Sequence, residues 1–399
     1  MDVLSHSRHF AELPFSVSER VTPTSTDDLS SILADASGAD RTVIPLGGGI
    51  SAGTGLPVEG FDIGIDTTAL SGILSWEPAD LVLSVRAGTT CAEVQSALAA
   101  SNQVIPVDVA YPERATIGGL ISTGFAGPRR LRSGSFRDLL IGCEYVRGDG
   151  LVARAGGMVV KNVSGFEIPR FLHGSWGALA VLSSVNLKIT PKPRSDGTLI
   201  VATESTAEAV ASALRAVSEV STLASCVVMS VDGTTTIAAR ALGRDRAVSE
   251  TLAEAARILG AGEVIGGDES GAWWQAYLNQ FGEVDAETLI AISVRPRQAV
   301  EVVTRLRDMA GLADSASFAI DPGVGSIRVR LSGPNHELVA AIVDLVQRHG
   351  ATYVLERVAT ELVGTIPVWG DPPDGIDLMR AIKREFDPAG ILNRGRLVI

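Results

Sequence analysis

The segment Pro45-Leu46-Gly47-Gly48-Gly49-Ile50-Ser51-Ala52-Gly53 follows an apolar, β-branched run at 41–46. Three glycines after a strand leave backbone N–H groups free to converge on an anion such as a pyrophosphate, and the Ser51 hydroxyl adds a donor. Gly47-x-Gly49-x-x-Ala52 can be fitted to a dinucleotide fingerprint, but that fingerprint needs a helix to begin at once. Gly53, Gly55 and Pro57 follow instead and break a helix. An ordinary glycine turn is the plainer alternative for this stretch alone. Thr116-Ile117-Gly118-Gly119-Leu120-Ile121-Ser122-Thr123 reads as a second loop with free amides and hydroxyls, and Gly174-Ser175-Trp176-Gly177-Ala178-Leu179 as a third. Three such segments, each beside predicted strands, suit one extended ligand with phosphate, ribose and ring portions.

The elements that would position these segments follow from periodicity. Residues 26–37 predict a helix with Thr26 as cap, acidic Asp27 and Asp28 at its positive end, and Leu29, Ile32, Leu33 and Ala36 on one face. Strands are expected at 41–46, 61–66 and 81–88, and Thr90-x-x-Glu93 is a capping box opening a further helix. Residues 138–157 and 178–193 hold β-branched strands, with Gly148-Asp149-Gly150 as a hairpin turn. At 191–197 proline, charge and glycine cluster, which fits a domain boundary. Beyond it, strand 198–204, helix 206–219, strands 224–230 and 234–240, helix 245–259 and strand 262–266 lead to a tryptophan-rich connector with Trp273 and Trp274. The pattern recurs as strand 287–293, helix 297–310, strands 316–321 and 325–331, helix 335–349 and strand 351–356. Two βαββαβ units about 90 residues apart exceed a solenoid repeat. They fit one α+β lobe with a broad antiparallel sheet. Residues 376–386 form an amphipathic helix ended by Asp387-Pro388.

Composition narrows the function classes. At 399 residues the chain exceeds what one core serves, so two lobes are expected. A net charge of −12 disfavours nucleic acid and anionic membrane surfaces. Cys91, Cys143 and Cys226 are too few for a disulfide framework or an iron–sulfur cluster. The opening MDVLSHSRHF shows no signal peptide and no run is long enough for a membrane span, so a cytoplasmic location is expected.

Taken in order, PLGGGISAG, VRAGTTCAEVQSAL, TIGGLISTGFAG, FRDLLIGCEYVRGDG and KNVSGFEIPRFLHGSWGALAVLSSVNLKITPKP resemble the FAD-binding domain of the vanillyl-alcohol oxidase / p-cresol methylhydroxylase (PCMH-type) flavoproteins. FDPAGILNRGR at 386–396 resembles the tail with which those proteins return to the flavin. Within that family, GPRRLRSGSFRDLLIG and GGMVVKNVSGFEIPRFLHGS are particularly similar to the FAD-binding second (E-type) subunit of bacterial glycolate oxidases. The resemblance implies a two-lobe α+β protein: a PCMH-type FAD-binding domain at 1–195, an α+β cap with an antiparallel sheet at 196–366, and a segment at 367–399 returning to the first domain. By motif position, Pro45, Leu46, Gly47, Gly48, Gly49, Ile50 and Ser51 would wrap the pyrophosphate, with Gly88 in the neighbouring motif. Thr116, Ile117, Gly118, Gly119, Ser122 and Thr123 would hold phosphate and ribose. Gly174, Ser175 and Gly177 would line the adenosine or ring region, and Asn393 would reach the flavin. No histidine occupies the first loop, which implies non-covalent FAD. The implied activity is oxidation of a small 2-hydroxy acid such as glycolate, with a catalytic flavoprotein homologue and an iron–sulfur subunit as partners. A non-catalytic FAD-bearing subunit and a stand-alone oxidase of another alcohol are the alternatives.

Such an oxidation needs a cation for the carboxylate, a base for the hydroxyl proton and a hydride acceptor. Arg357, ending TYVLER, is the candidate grip because its fork matches two oxygens; Arg328 and Arg330 share a strand face. All three could equally be solvated charges. Lys161 could stabilise the reduced flavin, or lie on the surface. His173 could be the base, or simply bond the backbone. Cys91 reads as a small buried hydrophobe. Arg129, Arg130, Arg132 and Arg137 form the dense basic patch, which could meet FAD phosphate, an acidic partner or only solvent. Related dehydrogenases often carry a histidine pair in the cap. Here residues 316–330 hold none, and the chain's five histidines do not pair at ligand spacing, so no metal is expected. Trp176, Arg394 and Phe166 depart from the residues usual at their positions.

Overall fold

Short β-branched runs cut by glycine form strands because branched side chains pack well on a pleated surface. A computed structural model of the chain describes residues 13–158, 166–280, 288–309, 316–333, 335–358, 362 and 364–399. It divides into two units: Met1–Ala126, Gly134–Lys192 and Asp371–Ile399 make the first, and Gly127–Ser133 with Pro193–Gly370 the second.

In the first unit β1 (Ser16–Val21), β2 (Val43–Leu46) and β3 (Gly60–Asp66) make a parallel sheet ordered β1-β3-β2. Helix α1 (Thr26–Gly38) connects β1 to β2 and buries Leu29, Leu33 and Ala36. Its cap is Ser25, which closes a capping box with Asp28, and not Thr26 as the sequence suggests. The Thr26 hydroxyl donates instead to Glu144 at 2.7 Å. The remaining strands are β4 (Ile73–Glu77), β5 (Val82–Arg86), β6 (Gln103–Val104), β7 (Leu140–Arg147), β8 (Val152–Gly156), β9 (Ala180–Lys188) and β10 (Thr190–Pro191). They form an antiparallel sheet ordered β4-β5-β9-β7-β8 and a β6-β10 pair. The expected hairpin turn at 148–150 joins β7 to β8, with Gly150 at φ 84°. Helix α2 (Cys91–Ala99) has the expected Thr90/Glu93 capping box. Together with α3 (Ile117–Thr123) it packs Val94, Leu98, Ile117 and Ile121 onto Leu83, Val85, Val185 and Leu187 of the antiparallel sheet. Each such fully buried side chain contributes roughly 1.5–3 kcal/mol.

Two short helices, α4 (Arg130–Ser133) and α5 (Phe136–Leu139), follow, then α6 (Ile168–Leu172). The second unit contains β11 (Ser195–Thr203), α7 (Thr206–Glu219), β12 (Ser225–Val231), β13 (Thr234–Gly243), α8 (Asp245–Leu259) and β14 (Glu263–Gly266). After α9 (Gly267–Gln280) come β15 (Thr288–Ser293), α10 (Ala299–Arg307), β16 (Ala316–Asp321), β17 (Ser326–Leu331), α11 (His336–Arg348) and β18 (Thr352–Arg357). One antiparallel sheet runs β14-β11-β13-β12-β16-β17-β15-β18. Each half has its fourth strand outermost, then its first, third and second, and the two second strands pair where Val228 faces Ile320. The repeat read from periodicity is therefore a structural duplication. The expected tryptophan-rich connector is a correction: residues 267–280 are helical. Trp274 is buried there and its indole donates to Thr198 Oγ1 at 2.8 Å, while Trp273 stacks on Tyr277. Aromatic anchoring on the sheet makes a helix of a stretch that glycines at both ends mark as a turn.

The chain returns to the first unit through α12 (Ile376–Phe386), which ends at the expected Asp387. Asp387 is fully buried and accepts from the backbone N–H groups of Ile391 and Leu392 at 3.1 and 2.8 Å. Lys383 Nζ donates to Asp387 at 2.6 Å and to the carbonyls of Ala178 and Leu392 at 2.6 and 2.8 Å. Burial lowers the Lys383 pKa below the usual ammonium value, against the pull of Asp387. Removing one partner of such a pair strands the other charge. Asp387→Ala is expected to destabilise the first unit by roughly 3–5 kcal/mol in urea titration. An unchanged midpoint would show that the pair does not hold the tail.

Candidate functional site

Leaving β2, the chain turns sharply through Gly47, Gly48 and Gly49, the last at φ 74°. The turn packs against the segment before α3. A Cβ on Gly47 would fall 2.2 Å from Thr116 Oγ1, and one on Gly48 1.8 Å from the Arg114 carbonyl oxygen. Glycine is required at both, since no side chain tolerates those distances. Among the described residues, none of the backbone N–H groups from Gly47 to Ser51 donates a hydrogen bond. Consecutive unclaimed amides around a left-handed glycine are the geometry of an anion nest.

The second segment differs from its sequence reading. It is the helix α3, not a loop with free amides. Thr116 caps it and accepts from Gly119 N at 3.2 Å. The Ile117 and Gly118 amides donate to the carbonyls of Thr89 and Ala87 at 2.9 and 2.7 Å. Thr123 Oγ1 donates to the Gly119 carbonyl at 2.9 Å. The helix N-terminus is thus spent inside the fold, and α3 buttresses the first turn. Gly88 has a similar part: its amide donates to the Leu70 carbonyl, and a Cβ would lie 1.9 Å from the Thr67 carbonyl oxygen.

The third segment closes on both others. Gly174 N and Trp176 N donate to the carbonyls of Ile121 and Ser122 at 2.9 and 2.7 Å. Gly174, Trp176 and Gly177 all have positive φ. For tryptophan that region is an outlier, held here by bonds on both sides. The Trp176 carbonyl accepts from Asn393 Nδ2 at 2.6 Å, and a Cβ on Gly177 would lie 3.1 Å from both Asn393 Nδ2 and Pro45 Cγ. A Cβ on Gly174 would point into open space. Pro45 and Leu46 end β2, Ser175 Oγ donates to the Leu172 carbonyl, and Ser122 lies in the last turn of α3. The three glycine-bearing segments and Asn393 therefore converge within one unit.

Reasoning from sequence missed the residues that hold this arrangement. Arg396 is buried; burial pulls its pKa down to about 10, and it donates to the carbonyls of Ala52, Thr54 and Leu56 just past the first turn. Arg114 Nη2 donates to the Gly48 carbonyl at 3.3 Å. Lys383 ties the tail to Ala178. Nothing local distinguishes these cations from surface ones. Arg394 binds Asp40 and the Gly390 carbonyl at the surface.

The catalytic candidates fall apart by unit. Lys161 lies outside the described residues. His173 ends α6 in the first unit, its ring 3.3 Å from where a Gly124 Cβ would sit. Cys91 is a buried start of α2, as expected. In the second unit Arg328 is held by both Glu356 oxygens at 3.1 and 3.2 Å, which raises its pKa further, and Arg330 donates to the Gln280 carbonyl. Both share the face of Leu289 and Ala291, as the alternation implies. Arg357 would alternate onto the face of Tyr353 and Leu355, but a β-bulge between Leu289 and Ile290 pairs it with Leu289, in the row of Arg330. Arg357 has no hydrogen bond or ion pair among the described residues. Arg130, Arg132 and Arg137 are exposed, and Arg132 donates to the Ser221 carbonyl. No group of three metal-ligand side chains is present among the described residues, nor any helix long and apolar enough to cross a membrane.

The family model for the FAD binding domain matches residues 18–165, and that for the C-terminal domain of FAD linked oxidases matches 370–397. The chain carries a PCMH-type FAD-binding domain. FAD is its cofactor, and the unclaimed amides of Gly47 to Ser51 fit a pyrophosphate. The chain is 39% identical to the Escherichia coli glycolate oxidase subunit GlcE over 39% of its own length and 45% of that protein. It is 24% identical to the Bacillus subtilis glycolate oxidase subunit GlcD over 94% of its length and 88% of that protein. It spans less than half of the D-lactate dehydrogenase of Archaeoglobus fulgidus, at 30% identity over 44% of this chain and 39% of that one. A solved alkyldihydroxyacetonephosphate synthase superposes over 93% of this chain and 75% of that one, with TM-score 0.66 and 16% identity, a likeness of fold.

Gly48→Ala is expected to abolish FAD retention, because its Cβ would meet main chain, whereas Gly53→Ala, with nothing within 4 Å, leaves it intact. The flavin-to-protein absorbance ratio after gel filtration reads both; equal ratios would remove the first turn from the site.

Proposed function

We propose that the chain is the FAD-bearing subunit of an oxidoreductase that oxidises a small 2-hydroxy acid, with glycolate the lead candidate. The convergence of the three glycine-bearing segments with Asn393 in one unit supports the reading, since one extended dinucleotide needs its phosphate, ribose and ring contacts close together. In this reading Pro45 and Leu46 lead out of β2 into the turn, and Gly47 to Ser51 wrap the pyrophosphate through their free amides. Ser122 offers a hydroxyl to phosphate or ribose and Thr123, whose proton goes to the Gly119 carbonyl, an acceptor for a ribose hydroxyl, while Thr116, Ile117, Gly118, Gly119 and Gly88 shape the seat by backbone packing. Gly174, Ser175, Gly177 and Asn393 line the remainder. The bound flavin supplies a hydride acceptor at N5. Arg357 grips the substrate carboxylate, His173 takes the hydroxyl proton and Lys161 offsets charge on the reduced ring. FAD is held without a covalent bond, the protein works in the cytoplasm, and electrons pass to a catalytic flavoprotein homologue and an iron–sulfur subunit. Residues 1–195 with 367–399 serve the cofactor and 196–366 serve as the cap. The names of the glycolate oxidase subunits and the D-lactate dehydrogenase among the relatives support this chemistry.

One observation favours a second reading, in which the chain binds FAD and only passes electrons or assembles the complex: the cap stretch 316–330 has no histidine.

The purified protein is expected to be yellow and to release all its flavin on denaturation. Anaerobic glycolate or D-lactate should bleach the bound flavin of the lone chain; failure with every 2-hydroxy acid tried selects the second reading. Arg357→Met should raise KM for the acid by about tenfold to a hundredfold with FAD content unchanged, the loss of one charge-assisted contact. An unchanged KM would take Arg357 out of the substrate site.

A further inference from the structure

We propose that Arg114 is a cofactor-binding residue: its guanidinium supplies the positive charge that balances the FAD pyrophosphate at the turn of Gly47 to Ser51. The proposal rests on the assignment of that turn to the pyrophosphate. Backbone amides are dipoles and leave the two negative charges of a pyrophosphate uncompensated, and this chain carries a net charge of −12 that opposes binding an anion. Arg114 Nη2 donates to the Gly48 carbonyl at 3.3 Å, which puts its guanidinium beside the turn whose amides donate no hydrogen bond. An arginine has five donors in a fixed fork, enough to hold that carbonyl and a phosphate oxygen together.

The placement is rigid from both sides. The capping box of α2 uses the Thr90 and Glu93 amides, while those of Cys91 and Ala92 donate to the carbonyls of Ala115 and Pro112 at 2.8 and 2.9 Å. The amides of Arg114 and Ala115 both donate to the Tyr111 carbonyl, with Tyr111 held at φ 48°. On the other side Gly48 lies against the Arg114 carbonyl with no room for a Cβ. The turn that presents the amides and the turn that presents the cation are thus one packed unit.

The test is titration of flavin-free protein with FAD, with ADP, which has the pyrophosphate without the flavin, and with riboflavin, which has neither phosphate. In Arg114→Met the affinity for FAD and ADP should fall by about tenfold to a hundredfold and its dependence on NaCl should flatten, with riboflavin unaffected. Arg114→Lys should restore the salt dependence and most of the affinity. Thermal unfolding of the flavin-free variants checks that they fold. Arg114→Met with a salt dependence equal to that of the original protein overturns the proposal and leaves Arg114 a brace for the loop. If Gly48→Ala also keeps full affinity for FAD, the assignment of the turn itself falls, which is a different failure from the loss of Arg114's role alone.

Discussion

The first unit depends on two glycines that let main chain approach where a side chain would not fit, Gly48 against the Arg114 backbone and Gly47 against the Thr116 side chain. Gly47 and Gly48 lie so close to Thr116 and Arg114 that the smallest Cβ would overlap them. That contact sets the turn after β2 against the start of α3, and α3 in turn spends its first amides on the 87–89 segment. A helix N-terminus usually attracts the anion in a dinucleotide site. Here it is consumed by packing, and the anion-ready amides lie in the turn instead. This explains why the segment after Gly49 need not be helical, and why the dinucleotide fingerprint fits so poorly.

A second constraint closes the arrangement from far along the chain. Lys383 and Asp387 fasten the tail, Asn393 reaches the Trp176 carbonyl, and Arg396 fills the turn at 52–56 with three backbone bonds. Asp387, Asn393 and Arg396 are buried, Lys383 is largely so, and each has hydrogen-bond partners, so the tail is held by directional bonds and not by apolar area alone. The bond from Asn393, itself at φ 48°, holds the carbonyl side of Trp176, another residue in the left-handed region. Strain of that kind persists only where neighbours over-determine it.

The second unit shows a different economy. A βαββαβ module occurs twice, and the copies join through their second strands into one antiparallel sheet. One side of that sheet carries Arg328 and Arg330 by simple alternation. Arg357 reaches the same side only because β18 is bulged. Glu356, the extra residue, then neutralises Arg328.

Much of this was legible in the residues themselves. Helices 206–219, 245–259 and 376–386 are where periodicity puts them, because their apolar spacing and flanking breakers are local properties. The duplication was visible for the same reason, and the glycine clusters flagged the three segments of the site. What the sequence could not decide depends on partners distant along the chain. The helical state of 117–123 needs carbonyls from 87 and 89, and that of 267–280 needs a sheet for Trp274 to anchor on. The side of Arg357 turns on a one-residue slip against β15, and the placement of Arg114, Lys383 and Arg396 on which carbonyls they find. Local chemistry fixes which conformations a segment prefers; only long-range packing fixes which of its polar groups are already spoken for.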